Sequence, residues 1–440
     1  MSMRMNRRRF LGKAATAAAT LAFPYIVPSK VLGRGGVVAP SEKIVMACIG
    51  VGGMGGGHLR SFLGHDDVQM VAICDVFGNR RDRAVETVNH RYANNDCAAY
   101  NDFRELLARP DIDAVCIATP DHWHALIGIE AAKNRKDMYY EKPLAMSIAE
   151  CKAIRQAVHQ YGVVFQFGTQ QRSSNWFRHT VELIRNERIG KLHTIIVGSA
   201  EYKPVPNQPT QPVPPGLDYD MWLGPAQYAP YTRLRYTHGW GLISDYSLGC
   251  LGGAWGIHHV DIAQWAADAD NTGPLDAAGW GEFPAEGLYD TALHWEIEHN
   301  YANGVKLIHM DMATAKTKMP QFALHWMGIL FLGSDGWIYT ARGFFASQPK
   351  GLMRTKLGPN DIRLPFSNDH RRNFLDSVRS RKQTICPVDT AVRSDTVTHI
   401  EHIAMVLGRK LRWDPVKEQF IDDDEANRML DRPMRSPWQL

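Results

Sequence analysis

The chain has 440 residues, 45% hydrophobic and 22% charged, enough for two domains with packed cores and too ordinary in composition for a disordered or fibrous protein. Its net charge of +4 is concentrated at the start: residues 1–40 hold seven basic side chains and no acidic one, so the remainder carries −3. A slightly acidic body offers no electrostatic footprint for nucleic acid, and no nucleic-acid partner is expected.

The first forty residues read as an address rather than a fold. Asn6-Arg7-Arg8-Arg9-Phe10-Leu11 resembles the twin-arginine export signal, and the alanine-rich run Ala14 to Ala22 is too short for a permanent membrane helix. Asn6 stands where Ser or Thr is usual, and Gly12 precedes Lys13. Export by this route delivers a folded protein to the periplasm or the exterior, with cleavage at a site such as Ala17-Ala18-Ala19; an uncleaved anchor is the alternative. No later run reaches membrane length, so no stable span is expected. The seven cysteines contain no C-x-x-C pair, and Cys48, Cys74 and Cys116 fall in predicted buried strands, so no disulfide framework is expected.

An apolar run, Lys43 to Ile49, leads into Gly50-Val51-Gly52-Gly53-Met54-Gly55, the layout of a strand, a tight turn and a helix start. Gly50 permits the turn, Gly52 lets a pyrophosphate approach the backbone, and Gly55 lets the helix pack on the strand. The helix start, with Gly53 and Met54, presents free N–H groups to the phosphates. A second strand, Val68 to Cys74, ends in Asp75, twenty-five residues after Gly50. A carboxylate there accepts hydrogen bonds from both adenosine ribose hydroxyls and repels a 2′-phosphate, which favours NAD over NADP. Arg80 and Arg81 lie just beyond and leave NADP open.

Residues 43 to about 165 alternate short apolar strands with helices, which predicts an α/β fold with a parallel sheet. Three loops converge at its carboxyl edge: Gly50–Gly57, Thr119–His124 and Glu141–Pro143. From about Val163 the strands lengthen and pair. Asn303-Gly304 between two apolar runs signals a hairpin, and Asp335-Gly336 repeats the pattern. The expected architecture is an N-terminal Rossmann dinucleotide-binding domain over 41–165, after the signal and linker of 1–40. An α+β domain with a large, mainly antiparallel open sheet covers 166–410, and a C-terminal arm covers 411–440. The six prolines between Tyr202 and Gly216 make an extended loop, either a spacer or a wall over the cleft. Helices are expected over 370–381 and 394–408.

Thr119-Pro120-Asp121-His122-Trp123-His124 follows a buried strand at the cofactor edge, where Trp123 and His124 are placed to flank the nicotinamide. His122 and His124 lack a carboxylate or cysteine at ligand spacing, so no metal is expected. Glu141-Lys142-Pro143 follows the next strand. Proline holds Lys142 extended and aimed, so its ammonium can orient a substrate hydroxyl or share its proton.

These features resemble the glucose–fructose oxidoreductase / inositol dehydrogenase / MocA family: the G-x-G-x-x-G with His58 three residues on, the Glu-Lys-Pro and a distal histidine. The resemblance extends to Gly168-Thr169-Gln170-Gln171-Arg172-Ser173, to Trp222-Leu223-Gly224-Pro225 and to Trp413-Asp414-Pro415, nearly the whole chain after the signal. It implies a two-domain NAD(P) enzyme acting on polyols, sugars or glycosides, and a homo-oligomer formed through the C-terminal sheet. Cofactor contacts then fall at Thr119, Pro120, Trp123, His124, Glu141, Lys142 and Gln170. Gly256-Ile257-His258-His259-Val260-Asp261 matches the family's G-x-H-x-x-D, making Lys142 the family lysine and His258 the catalytic histidine. The family commonly has an aspartate four residues before that histidine, and here the residue is Ala254. Asp245 or Asp261 is then the expected orienting group, or Lys142 takes the proton role. Gln171, Arg172, Tyr246, His259 and Tyr289 are candidate substrate contacts.

An exported NAD enzyme has to carry its cofactor out and keep it, so tightly bound NAD is expected. The favoured function is hydride transfer from a ring hydroxyl of a sugar or glycoside to that NAD. The alternative, also found in this family, is NAD-dependent glycoside cleavage by oxidation, elimination and reduction, for which Tyr246, His238 and His259 are candidate second bases. A third reading is an inactive sugar-binding protein, whose only support is Ala254.

Overall fold

The structure, a computed structural model, describes residues 38–440 apart from Ala323, His325 and the side chains of Pro40 and His238. The export motif at Arg7–Arg9 and its apolar run lie outside the described residues, as does the proposed base on His238. Two sheets organise the rest. The first contains β1 (Ile44–Ile49), β2 (Val68–Cys74), β3 (Ala98–Tyr100), β4 (Ala114–Ile117), β5 (Asp137–Tyr140) and β6 (Phe165–Phe167). Their order is β3-β2-β1-β4-β5-β6, and every pairing is parallel. Strands such as β4, Ala-Val-Cys-Ile, are buried along their whole length because helices cover both faces. Those helices include α1 (Gly53–Phe62), α2 (Gly78–Tyr92), α3 (His124–Lys133) and α4 (Ile148–Tyr161). The order of strand succession reverses between β1 and β4, a switch point beyond whose strand ends a crevice opens, where such sheets bind their ligands.

The second sheet has nine strands: β7 (Leu192–Ser199), β8 (Asp276–Glu282), β9 (His294–Asn300), β10 (Lys306–Asp311), β11 (Gly328–Gly333), β12 (Gly336–Ala341), β13 (Phe344–Gln348), β14 (Leu411–Asp414) and β15 (Gln419–Phe420). The order is β13-β12-β11-β7-β10-β9-β8-β14-β15, antiparallel except for β7 beside β10. Both Gly-containing turns close hairpins, β9–β10 and β11–β12. This is the α/β architecture expected: a Rossmann domain followed by a domain with a large, mostly antiparallel sheet.

Helices α5 (Asn175–Arg185), α6 (Ile257–Ala266), α7 (His370–Ser380) and α8 (Val388–Leu407) complete the frame. Helix α8 starts six residues before the expected Ser394, directly after Pro387, and ends on a left-handed Gly408. It packs on α4, α6 and β8 and so binds the two sheets together.

Within the C-terminal arm, β14 and β15 extend the edge of the second sheet. Beyond them the chain returns to the first domain. Arg432 Nε donates to Glu150 Oε1 at 2.7 Å, and the Trp438 ring meets Trp123 edge-on. The proline-rich loop is without regular structure, and its end docks on the loop after β2: Gly78 N donates to Gly216 O and Asp218 N to Val76 O, both at 2.9 Å. No helix among the described residues is long and apolar enough to cross a membrane. All seven cysteines are buried and unpaired.

Candidate active site

A cavity of about 310 Å³ runs across the switch point, from the glycine loop and Asp75 at one end to Glu141 and Lys142 at the other. Its first wall is the turn between β1 and α1. Gly50 has φ +80, and a Cβ there would lie 2.6 Å from Ala118 O; a Cβ on Gly55 would lie 2.0 Å from Gly50 O. Any other residue would push strand and helix apart. Helix α1 is capped by Gly52 with no side-chain hydrogen bond, so its first N–H groups face the cavity unclaimed by a side chain.

Asp75 shapes this loop as well as the site. Its Oδ2 accepts from Val51 N and its Oδ1 from Phe77 N, each at 2.9 Å. Burial raises its pKa, and the two backbone donors and Arg80 oppose that rise. Arg81 turns away to Asp75 O and Asn101 Oδ1. Arg80 stays at the cavity, its guanidinium 5.0 Å from the centre of the Tyr236 ring.

Thr119, Pro120 and Trp123 line the middle of the cavity. Thr119 Oγ1 is buried without a hydrogen bond. Trp123 Nε1 donates to Met221 O at 2.9 Å, which fastens the Trp222–Pro225 segment to the cavity. His124 does not border the cavity. It is fully buried, with Nδ1 2.6 Å from Pro143 O and Nε2 3.0 Å from Thr119 O, so it staples the two loops together instead of touching a cofactor. His122 is likewise spent on structure: its Nε2 donates to Trp222 O at 2.9 Å, and burial pushes its pKa down to about 3.

Glu141 is locked. His58 lies 2.8 Å from its Oε1, Gln170 Nε2 donates to the same oxygen at 3.4 Å, and Lys142 N donates to Oε2 at 3.2 Å. Burial alone would raise its pKa, but the His58 hydrogen bond and the Lys142 ammonium outweigh it and hold the pKa at about 2. Gln170 therefore reaches the site only through Glu141. Lys142 Nζ donates to Gly253 O at 2.8 Å, which carries its ammonium from the first domain to the loop before α6.

His258 sits on the first turn of α6, 5% exposed, its ring 5.6 Å from that of Trp255. It is not part of the cavity wall. Burial drives its pKa well down, and the charges of Lys142 and Arg342 add to the effect. Its Nδ1 has no hydrogen bond, so neither Asp245 nor Asp261 orients it. Asp261 is committed elsewhere: both its oxygens take donors from Arg172, and Ser394 Oγ donates at 2.8 Å. This also corrects the expectation for Arg172. Its guanidinium is buried between Asp261 and Asp270 and stacks on Trp265, which leaves nothing for a substrate. Gln171 is buried with both amide atoms unpaired, and His259 is buried behind Trp255 with its pKa pushed down to about 3, first by burial and then by Arg342. Tyr246 is fully buried beneath Trp222, its hydroxyl accepting from Arg235 at 3.2 Å, and Tyr289 packs edge-on against Tyr202.

Sequence reasoning passed over Asp121. Its carboxyl lines the cavity near Lys142, 2% exposed, and its Oδ2 makes no hydrogen bond. An acid directly after Thr-Pro and before a helix reads as a helix cap, which is why the pattern gave no warning.

The two parts of the chain match the two halves of one oxidoreductase family. Residues 44–169 match its NAD-binding Rossmann fold, and residues 201–440 match its C-terminal alpha/beta domain in the Gfo/Idh/MocA set. The chain belongs to this family. It binds NAD, and the unclaimed N–H groups of α1, the orphan Thr119 Oγ1 and the Asp75 carboxylate are the chemistry a dinucleotide requires. Glycosyl hydrolase family 109 protein 1 of Shewanella sp. is 34% identical over 166 residues, 33% of this chain and 35% of that protein. The chain thus spans about a third of the length of that curated relative. Among solved structures, aldose-aldose oxidoreductase from Caulobacter crescentus matches with TM-score 0.62 at 15% identity, covering 84% of this chain and 99% of that one. GenD2 from gentamicin A biosynthesis, solved in complex with NAD, matches with TM-score 0.60 at 18% identity over 85% and 97%. At these identities the likeness is one of fold.

Proposed function

We propose that the chain is an exported oxidoreductase that moves a hydride from a ring hydroxyl of a sugar or glycoside to a tightly held NAD. The observation that carries the reading is the shared cavity: the glycine loop and Asp75 lie at one end and the Lys142 ammonium at the other. NAD seated there supplies a two-electron hydride acceptor. The glycine loop and the start of α1 hold its phosphates, and Asp75 accepts from its adenosine ribose. Lys142, aimed by its bond to Gly253 O, donates to the substrate hydroxyl and fixes the carbon that gives up hydride. Neutral His258 stands behind this end of the cavity, outside its wall and within the field of the Lys142 charge. Trp123 and Trp222 exclude water from the middle of the cavity.

The arginine pattern of residues 7–9 supports export by the twin-arginine route, folded and with cofactor aboard. The open second sheet supports a homo-oligomer formed across it. A redox-neutral glycoside cleavage is the second reading, favoured by the similarity to the glycosyl hydrolase family 109 protein. It needs a second base to remove the proton beside the new carbonyl and an acid for the leaving group.

The test is incubation of mature enzyme with a panel of glycosides and no added acceptor, followed by mass analysis. A keto-glycoside with its linkage intact, formed in proportion to reduced cofactor, is expected. Aglycone released over many turnovers with no net reduction establishes cleavage instead. Denatured protein that yields no nicotinamide nucleotide, and cannot be loaded with it, removes the tight-binding claim.

A further inference from the structure

Three carboxylates line the cavity: Asp75, Asp121 and Glu141. Asp75 sits at the ribose end with both oxygens held by backbone N–H groups. Glu141 is held by three donors and stays ionised down to about pH 2, so it is a fixed charge, not a proton carrier. Asp121 differs from both. It lies at the Lys142 end, buried, and neither a backbone N–H nor a cation is bonded to its Oδ2; the Ser247 hydroxyl is its polar neighbour.

Gly253 shows how these groups are assembled. A Cβ on Gly253 would lie 2.2 Å from Asp121 Oδ2 and 2.2 Å from Ser247 Oγ, while the carbonyl of the same residue accepts from Lys142 Nζ. Glycine at 253 is what lets the Asp121 carboxyl pack against the same backbone unit that receives the Lys142 ammonium, so that each lies in the other's field. An ammonium that is donating has no lone pair for a substrate proton, whereas the carboxylate beside it has.

On the reading that the cavity oxidises a hydroxyl, we propose that Asp121 is a further catalytic residue, the carboxylate that takes the proton of the substrate hydroxyl at the Lys142 end. The balance is complete: the O–H bond breaks and its electron pair becomes the second carbon–oxygen bond. The hydride leaves carbon for the bound oxidant, NAD, and the proton goes to the Asp121 carboxylate. Burial pushes the Asp121 pKa up to about 7 against the pull of the Lys142 charge and the Ser247 hydroxyl, and the carboxylates of Asp395 and Glu141 push in the same direction as burial. A base with a pKa near the working pH is effective in proton transfer.

The experiment uses mature holoenzyme, with Asp121→Asn and Ser247→Ala. Infrared titration of the unaltered protein is expected to show a buried carboxylic-acid C=O band lost as pH rises through about 7, absent from Asp121→Asn. Stopped-flow reduction of bound NAD by a glycoside that serves as substrate is expected to speed up over the same range. Asp121→Asn should keep its NAD, reduce it roughly 10²-fold more slowly and lose that pH limb. Ser247→Ala removes a group that favours the charged form, so band and limb should both move to higher pH. Should Asp121→Asn fail to fold or retain NAD, the Ser247→Ala shift decides. Unchanged rate and limb in Asp121→Asn, or an unmoved limb in Ser247→Ala, overturns the role of Asp121 and leaves the oxidation reading standing. If no sugar or glycoside reduces NAD in the unaltered protein, the oxidation reading falls, and this role with it.

Discussion

His58 Nε2 lies 2.8 Å from Glu141 Oε1, although one residue belongs to α1 and the other follows β5. Arg371 of α7 donates to His58 Nδ1 from two nitrogens, at 3.0 and 2.8 Å. A guanidinium only donates, so His58 Nδ1 accepts and its proton sits on Nε2, given to Glu141. The arrangement fixes a buried negative charge directly beside Lys142.

That charge has a pH signature. Glu141 titrates at about 2 in the folded protein against 4.5 for an ordinary glutamate. Its stabilising contribution is therefore fully present above about pH 4.5 and is lost as pH falls toward 2. Glu141→Gln should lower the melting temperature at neutral pH and flatten the loss of stability on acidification. Calorimetric melts across the acid range check this; superimposable profiles for the two proteins would show that Glu141 is not a stabilising charge.

Asp75→Ala should weaken NAD more than NADP. The carboxylate removed is the group that repels a 2′-phosphate, and Arg80 remains at the cavity to meet one. Titration calorimetry on apo-protein with both nucleotides measures the ratio. An equal loss for the two would mean that Asp75 serves only to hold Val51 and Phe77.

Lys142→Ala should reduce bound NAD roughly 10²-fold more slowly while retaining it, since Lys142 acts at the substrate end. His258→Asn should cost less, because the imidazole has no orienting partner and lies outside the cavity wall. Single-turnover kinetics ranks the two. Unchanged turnover in both variants would refute the assignment of this end of the cavity.

Much of this was legible in the chain itself, for a physical reason. The strand, Gly50–Gly55 and Asp75 are local in sequence, and each glycine is demanded by a backbone approach that a motif records. The Asn303-Gly304 and Asp335-Gly336 hairpins are local too. What could not be read were meetings across long separations. Arg172 follows a site-like Thr-Gln-Gln, yet its partners Asp261 and Asp270 lie 89 and 98 residues away. Asp121 resembles a helix cap until the fold sets it and Lys142 against the same residue, Gly253. His124 looked like a cofactor contact because its loop borders the cavity, but the ring points back to Thr119 O and Pro143 O.

The Arg172 cluster gives the most direct test of a residue whose role the sequence pattern misstates. Its Nε and Nη2 donate to Asp261 at 2.7 and 2.8 Å, and Nη1 and Nη2 donate to Asp270 at 2.9 and 2.8 Å. Arg172 is 1% exposed and Asp261 fully buried, so removing the arginine strands a carboxylate in a low-dielectric interior. Arg172→Ala should therefore cost on the order of 3–5 kcal/mol of stability. Pairing it with Asp261→Asn, which removes the stranded charge, should recover part of that loss, a coupling that a double-mutant cycle reads directly. The KM of whatever folded Arg172→Ala remains should be unchanged, because no guanidinium nitrogen is spare for a substrate. A raised KM at unchanged melting temperature would instead return Arg172 to the substrate pocket.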